Sequence, residues 1–328
     1  MTIARQSLFG VVAHHIPFPS YTLYPEDFDR FASIGLDAIV LDVCWRLVEP
    51  QPDQWDFRYY DFIFAQAKAH HLKVLAKLGN GYNGNRPTVP DWTKTLSVEA
   101  YNARLAYYGA KIAQRYGHAV FAFALENEAN IAALHLQGGW RQGLWPKERV
   151  MSIWQTLAQT LAKEAPDVET ILTLAAVENW EDWAKEAMAK FSFDAIGLQI
   201  YPCGTDPDPN RVGDAKQELQ KAADLARTLY ITETGYHTFM RPEEKQAYYV
   251  EKMATLCWQE GAKGIFFYEY LDGPEEPELE VLGDKNLGQE QHFGLCHNSG
   301  QSESRLPKPA WHAYGKVIAT LRQAKSPR

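Results

Sequence analysis

Short apolar runs and longer amphipathic stretches alternate along the chain. Residues 8–13, 38–43, 73–78, 119–124, 170–177, 195–200, 229–232 and 264–267 are apolar runs rich in β-branched and aromatic residues and bounded by polar or turn residues. Such runs predict strands buried on both faces, which belong to a parallel sheet covered by helices. Between them the apolar positions recur at helical spacing. Pro25 opens a helix carrying Phe28, Phe31 and Ala32; Tyr60, Ile63, Phe64 and Ala67 fall at i, i+3, i+4 and i+7. Ser97 caps a helix with the stripe Tyr101, Leu105, Tyr108 and Ile112, stopped at Gly117. Val150, Ile153, Trp154, Leu157 and Leu161 form another stripe, and further helices are predicted over 215–226, 242–258 and 309–321. Eight strand-like runs alternating with seven or eight helical patterns, about 25–50 residues apart, predict a (β/α)8 TIM barrel. No Gly-x-Gly-x-x-Gly turn follows the first strand to favour a doubly wound sheet. Residues 1–328 read as one catalytic domain with long βα loops, notably 79–92 and 131–146, and a polar excursion over 273–305.

Composition narrows the function. A net charge of −8 without a basic cluster argues against a nucleic-acid partner. No apolar run approaches the roughly 20 residues that span a bilayer, so no membrane partner is expected. Residues 1–7 lack a charged region followed by an apolar core, so a cytoplasmic protein is expected, although a trimmed secreted chain would read the same way. Oligomeric state is not legible. Cys44, Cys203, Cys257 and Cys296 lie far apart, without metal-ligand spacing or the density of a disulfide scaffold. No metal or other cofactor is expected. The aromatics change the picture more: 10 Trp, 17 Tyr and 15 Phe, many in loops that follow strands.

Those loops open into the shared mouth of a barrel, at the carboxyl ends of the strands. The residues placed there are His14, Asp42, Trp45, Arg46, Asn80, Asn127, Glu128, Glu178, Tyr201, Glu233, Tyr268 and Glu269. Glu128 follows the fourth strand and Glu233 the seventh, roughly across the barrel. Two opposed carboxyls suit glycoside hydrolysis: one protonates the leaving oxygen, and the other, ionised, attacks the anomeric carbon. A separation of about 5 Å implies retention and about 6.5–9.5 Å inversion. Hydrogen bonds from Tyr201 and Arg46 would favour ionised Glu233, whereas Glu128, beside neutral Asn127 and aromatic walls, would hold its proton. Asn127 is placed to bond the substrate 2-hydroxyl. Glu126 is expected to support the pair by meeting a base inside the barrel. His14, Asn80, Trp45, Arg46, Trp140, Trp180, Tyr201 and Tyr268 complete the expected substrate-binding set, with flat aromatic faces for the C–H side of sugar rings. The partner is an oligosaccharide or polysaccharide.

Three segments carry a family resemblance: Leu125-Glu126-Asn127-Glu128-Ala129-Asn130, Ile231-Thr232-Glu233-Thr234-Gly235-Tyr236, and Trp45 to Phe57. They resemble clan A of the retaining (β/α)8 glycoside hydrolases, which includes cellulase family 5, β-xylosidase family 39 and β-galactosidase family 42. The resemblance implies Glu128 as acid/base, Glu233 as nucleophile, Asn127 as the 2-hydroxyl ligand and Tyr201 as an aromatic bonded to the nucleophile. Phe293-Gly294-Leu295 and Lys308-Pro309-Ala310-Trp311 resemble the clan's C-terminal closure. Two positions depart. Val40 stands where many members carry an arginine supporting the nucleophile, so that either Arg46 supplies this support from the loop or the support is missing and Arg46 makes an ordinary loop salt bridge; Tyr268 stands where the clan usually has a tryptophan under the sugar at subsite −1. The alternatives are a non-catalytic or transglycosylating sugar-binding barrel, and an inverting β-amylase-like hydrolase, which residues 35–57 resemble.

Overall fold

Eight parallel strands close into a barrel in sequence order: β1 Leu8–His14, β2 Ala38–Val43, β3 Lys73–Leu78, β4 Ala122–Leu125, β5 Glu169–Ala175, β6 Ala195–Gln199, β7 Leu229–Thr234 and β8 Gly264–Phe267. The computed structural model describes residues 7–14, 21–79, 88–133, 146–177, 179–203, 208–273, 287–298 and 305–324. The principal helices are α1 Pro25–Ser33, α2 Trp45–Val48, α3 Arg58–Ala69, α4 Val98–Tyr116, α5 Lys147–Glu164, α6 Trp180–Lys190, α7 Ala215–Leu225, α8 Glu243–Gln259 and a C-terminal helix Pro309–Gln323. The expected barrel is therefore the observed fold.

Alternation along each strand builds two apolar layers. Val11, Ile39, Val74 and Phe123 face the helices, in one cluster with Phe28, Tyr60, Ile63 and Tyr108. Their neighbours Val12, Val40, Leu75 and Ala124 face inward and fill the lumen with Ile171, Tyr230 and Phe266. Both layers are dry, which is why each strand reads as an unbroken apolar run. Full burial of each such side chain stabilises the fold by roughly 1.5–3 kcal/mol over leaving it in water. Gly197 on β6 is an inward position where a Cβ would lie 2.7 Å from Thr232 and 2.8 Å from Ile171. Only glycine fits there.

Local signals act as expected at the edges. The Ser97 hydroxyl accepts from the Ala100 N–H and caps α4, a contact worth about 1 kcal/mol. Tyr314, on the C-terminal helix, accepts from the Gly10 N–H and lies 3.0 Å from the carbonyls of Gly10 and Ile265. It pins the β1–β8 seam where the barrel closes. The fourth strand begins later than its apolar run suggests: the Ala119 and Val120 N–H groups return to the Tyr116 carbonyl, making 119–120 the turn after α4. No described helix is long and apolar enough to cross a membrane. All four cysteines are free and buried.

Candidate active site

Above the apolar plug lies a layer of buried polar side chains, and two backbone irregularities aim them inward. On β7 the pairing register slips between Ile231 and Thr234, and against β6 between Leu198 and Gln199. A bulge at a barrel rim re-aims side chains. Here it lets Glu233 point into the lumen although Thr232, the residue before it, already does so. At the end of β4, Glu126 and Glu128 have left-handed backbones, φ 62° and 51°, on either side of Asn127. A non-glycine residue there is sparsely populated and costs about 1–3 kcal/mol, a kind of strain that clusters at functional sites.

Lys77 is the hub of this layer. Fixed on β3 and almost fully buried, its ammonium lies 2.5 Å from Glu233 Oε1, 2.9 Å from Asn127 Oδ1 and 3.4 Å from Asp42 Oδ1. Tyr201 donates to the other Glu233 oxygen at 3.1 Å. Each carboxylate oxygen of Glu233 thus has its own donor, which fixes the plane of the group. The Asn127 carbonyl oxygen also accepts from Gln199 Nε2 at 2.5 Å, so its amide nitrogen is turned away from both donors. Burial alone would lower the Lys77 pKa, but the charges of Asp42 and then Glu233 outweigh it, with Glu128 adding, so the net direction is up. Tyr201 is held well above its ordinary range, first by burial and then by Glu233 and Glu128, and stays a neutral donor. Glu128 therefore lies close enough to Glu233's partners for its charge to act on both.

The remaining expected residues separate clearly. Tyr268 comes in: its ring packs edge-on against Tyr201 and Phe293, with centroids 6.3 and 5.4 Å apart. Trp45 does not. The expected loop is α2, a turn of helix that buries Trp45 completely, stacked on Tyr108 with its Nε1 donating to Glu49. Trp180 likewise starts α6, is buried, and donates to Glu218. Arg46 is engaged elsewhere: its half-exposed guanidinium pairs with Asp91 at 3.0 Å. The buried Glu126 carboxyl lies against Gly79, where a Cβ would come within 2.7 Å of its Oε1; burial raises the pKa of the α4 tyrosines Tyr101 and Tyr108, and the Glu126 charge adds to it. The interior base, Lys77, holds Glu233 and Asn127 instead. His14 ends β1, but its side chain, together with Asn80, Trp140 and Glu178, lies outside the described residues.

Sequence reasoning missed Lys77 and Gln199. Both carried a signal: each is a polar residue at an inward-facing position that directly follows an apolar stretch of its strand. Glu269, after β8, is a further buried carboxyl beside the mouth. It accepts from Tyr21 at 3.1 Å, and burial, then Glu290, holds its pKa well above the usual carboxylate range. Among the described residues no group of three or more His, Cys, Asp or Glu is arranged to hold a metal ion.

No family model matches the chain. Two curated relatives are distant: an aryl-phospho-β-D-glucosidase of Bacillus subtilis, 24% identical over 134 residues, and a 6-phospho-β-glucosidase of Dickeya chrysanthemi, 23% identical over 220. The matches take in 38% and 62% of this chain but span only 28% and 43% of those proteins' lengths. Solved structures agree over nearly the whole chain. A GH5_18 protein from Streptomyces cattleya, solved with GlcNAc, superposes with a TM-score of 0.79 at 15% identity, covering 99% of this chain and 83% of that one. A β-glucosidase, 1317, gives 0.73 at 15% identity over 96% and 98%. The exo-β-1,4-mannosidase of Opitutaceae bacterium strain TAV5 gives 0.73 at 16% identity over 98% and 60%. The fold of this chain is the one seen in clan A glycoside hydrolases.

Proposed function

We propose that this chain is a retaining β-glycosidase, with Glu233 as nucleophile and Glu128 as acid/base. The supporting observation is Glu233 itself: a buried carboxylate at the end of β7, held by one donor on each oxygen, with Glu128 within electrostatic reach of both donors. Lys77 is a positive charge against Glu233 Oε1, which with Tyr201 on the other oxygen orients the carboxyl for attack. Glu128 sits on the rim, partly exposed, where a leaving-group oxygen can reach it. In the first step Glu233 attacks the anomeric carbon and the glycosidic bond breaks. The leaving oxygen takes the proton of Glu128. In the second, Glu128 takes a proton from water, the water oxygen bonds to the anomeric carbon, and Glu233 departs as carboxylate. The Asn127 amide nitrogen, turned away from the buried layer, is placed to donate to the 2-hydroxyl.

The substrate class is a β-linked oligosaccharide. Aryl β-glucosides, β-mannosides, β-xylosides and 6-phospho-β-glucosides form the screen, the last because of the curated relatives. NMR of the first-formed anomer tests retention; an inverted anomer overturns it. Glu233→Ala is expected to lower turnover by roughly four orders of magnitude or more, with partial rescue by azide or formate. Glu128→Ala is expected to spare dinitrophenyl glycosides, whose leaving groups need no proton. Equal loss on alkyl and dinitrophenyl substrates removes Glu128 as the acid.

A further inference from the structure

Asp42 has no part in the two steps written above, yet it is buried in the same layer, 3.4 Å from the Lys77 ammonium. Resting on the glycosidase reading above, we propose that Asp42 is a resident counter-ion, a positioning residue that balances Lys77 when Glu233 becomes an ester.

The argument is one of charge. In the resting site Lys77 faces two carboxylates, Asp42 from β2 and Glu233 from β7, with Glu128 beyond β4 and the Tyr201 hydroxyl beyond β6. Formation of the glycosyl-enzyme joins Glu233 to the anomeric carbon and removes its negative charge; Lys77 neither gives nor takes a proton. Without Asp42 the lysine would then be a buried cation beside a neutral ester, and an uncompensated buried charge is strongly destabilising. With Asp42, a neutral buried pair remains. The site is arranged so that the intermediate, and not the resting enzyme, has the balanced lysine. Asp42 is the next inward position above Val40, so β2 supplies an anion where a clan A arginine would supply a cation, and β3 supplies the cation.

Asp42→Asn separates the two chemical steps. On the dinitrophenyl glycoside of the sugar preferred in the screen, kcat/KM reports formation of the ester, and kcat its hydrolysis where that step limits. The expected result is a loss of roughly 10²-fold in kcat/KM, the size found for one preorganised electrostatic contact, with kcat within about threefold. A kcat/KM within about threefold of wild type, or kcat falling in parallel with it, overturns the proposal; parallel loss is what a merely structural role predicts.

A second readout needs no substrate. In Lys77→Met, Asp42 and Glu233 face each other without a cation, so the folded protein keeps a proton that the unfolded chain releases. Its stability to urea is then expected to fall as pH rises from 5 to 8, and the slope to become shallower in the Asp42→Asn/Lys77→Met double variant, where Glu233 is the one carboxyl of the pair left to be affected by burial. A flat profile for Lys77→Met overturns the shared charge. Should Lys77→Met not fold, folding of the double variant supports the pairing, and failure of both overturns it. A sloping profile in a protein that hydrolyses no glycoside would defeat the glycosidase reading and, with it, the ester role, while leaving the charge pair standing.

Discussion

The two ends of the barrel hold the same three chemical groups. At the amino end, Glu169 on β5 accepts from Lys263 at 2.8 Å and from Tyr230 at 2.7 Å. At the carboxyl end, Glu233 on β7 accepts from Lys77 at 2.5 Å and from Tyr201 at 3.1 Å. What differs is water. The Lys263 and Glu169 side chains are 38% and 19% exposed, those of Lys77 and Glu233 1% and 4%. A pair in contact with solvent gains little, because water already satisfies both ions. A pair out of reach of water is committed, since losing one ion leaves the other without hydration. Identical side chains thus close the bottom of the barrel and, at the top, fix the orientation of a carboxyl shut off from water.

The sharpest way to break the comparison is to remove the cation at each end. Lys77→Met is expected to cost about 3–5 kcal/mol of unfolding free energy near pH 7, through the two carboxylates it strands. Lys263→Met is expected to cost no more than about 1 kcal/mol. Urea unfolding measures both, and equal losses would show that burial is not what separates the two trios.

A smaller effect sharpens the same point at Glu269, which is as buried as Glu233 but accepts from a neutral donor, Tyr21. Burial, with Glu290 beside it, raises its pKa well above the carboxylate range. A raised carboxyl keeps a proton in the folded state after the unfolded chain has released it, near pH 4.3. Stability is therefore expected to decline as pH rises from there towards the folded value. Glu269→Gln, which cannot ionise and still accepts from Tyr21, is expected to flatten that decline. An unchanged slope in urea titrations at several pH values would show that Glu269 is already ionised in the folded protein.

What the sequence made legible follows from how local each signal is. The strands were readable because a lumen plugged by Val12, Val40 and Leu75 leaves no polar alternation to confuse the pattern. Asn127 and Tyr201 were readable because they stand at strand ends beside recognisable motifs. Trp45 and Trp180 misled because aromatic residues in short polar stretches look alike whether they face solvent or, as here, begin helices that bury them. Lys77 escaped because its meaning is non-local: a lysine within an apolar strand acquires a role only when 156 positions of chain bring Glu233 against it. The bulge that turns Glu233 inward is likewise a property of two neighbouring strands rather than of one.

The smallest expected effect decides which cation serves Glu233, the proposed nucleophile. From the sequence, Arg46 was the candidate, since β2 carries Val40 where an arginine was expected. In the structure its guanidinium pairs with Asp91, with side-chain exposures of 41% and 58%, the wet regime of the lower trio. Arg46→Ala is expected to change stability by less than about 1 kcal/mol and kcat/KM by less than about threefold, about 0.65 kcal/mol of barrier. Lys77→Arg is the informative partner measurement, because it keeps the charge but puts a planar fork where a compact ammonium now donates to Glu233 and Asn127 beside Asp42. If Arg46→Ala instead lost a hundredfold while Lys77→Arg kept full activity, the loop arginine would have to reach the nucleophile during turnover. The ion at the bottom of the buried layer would then be packing, not catalysis.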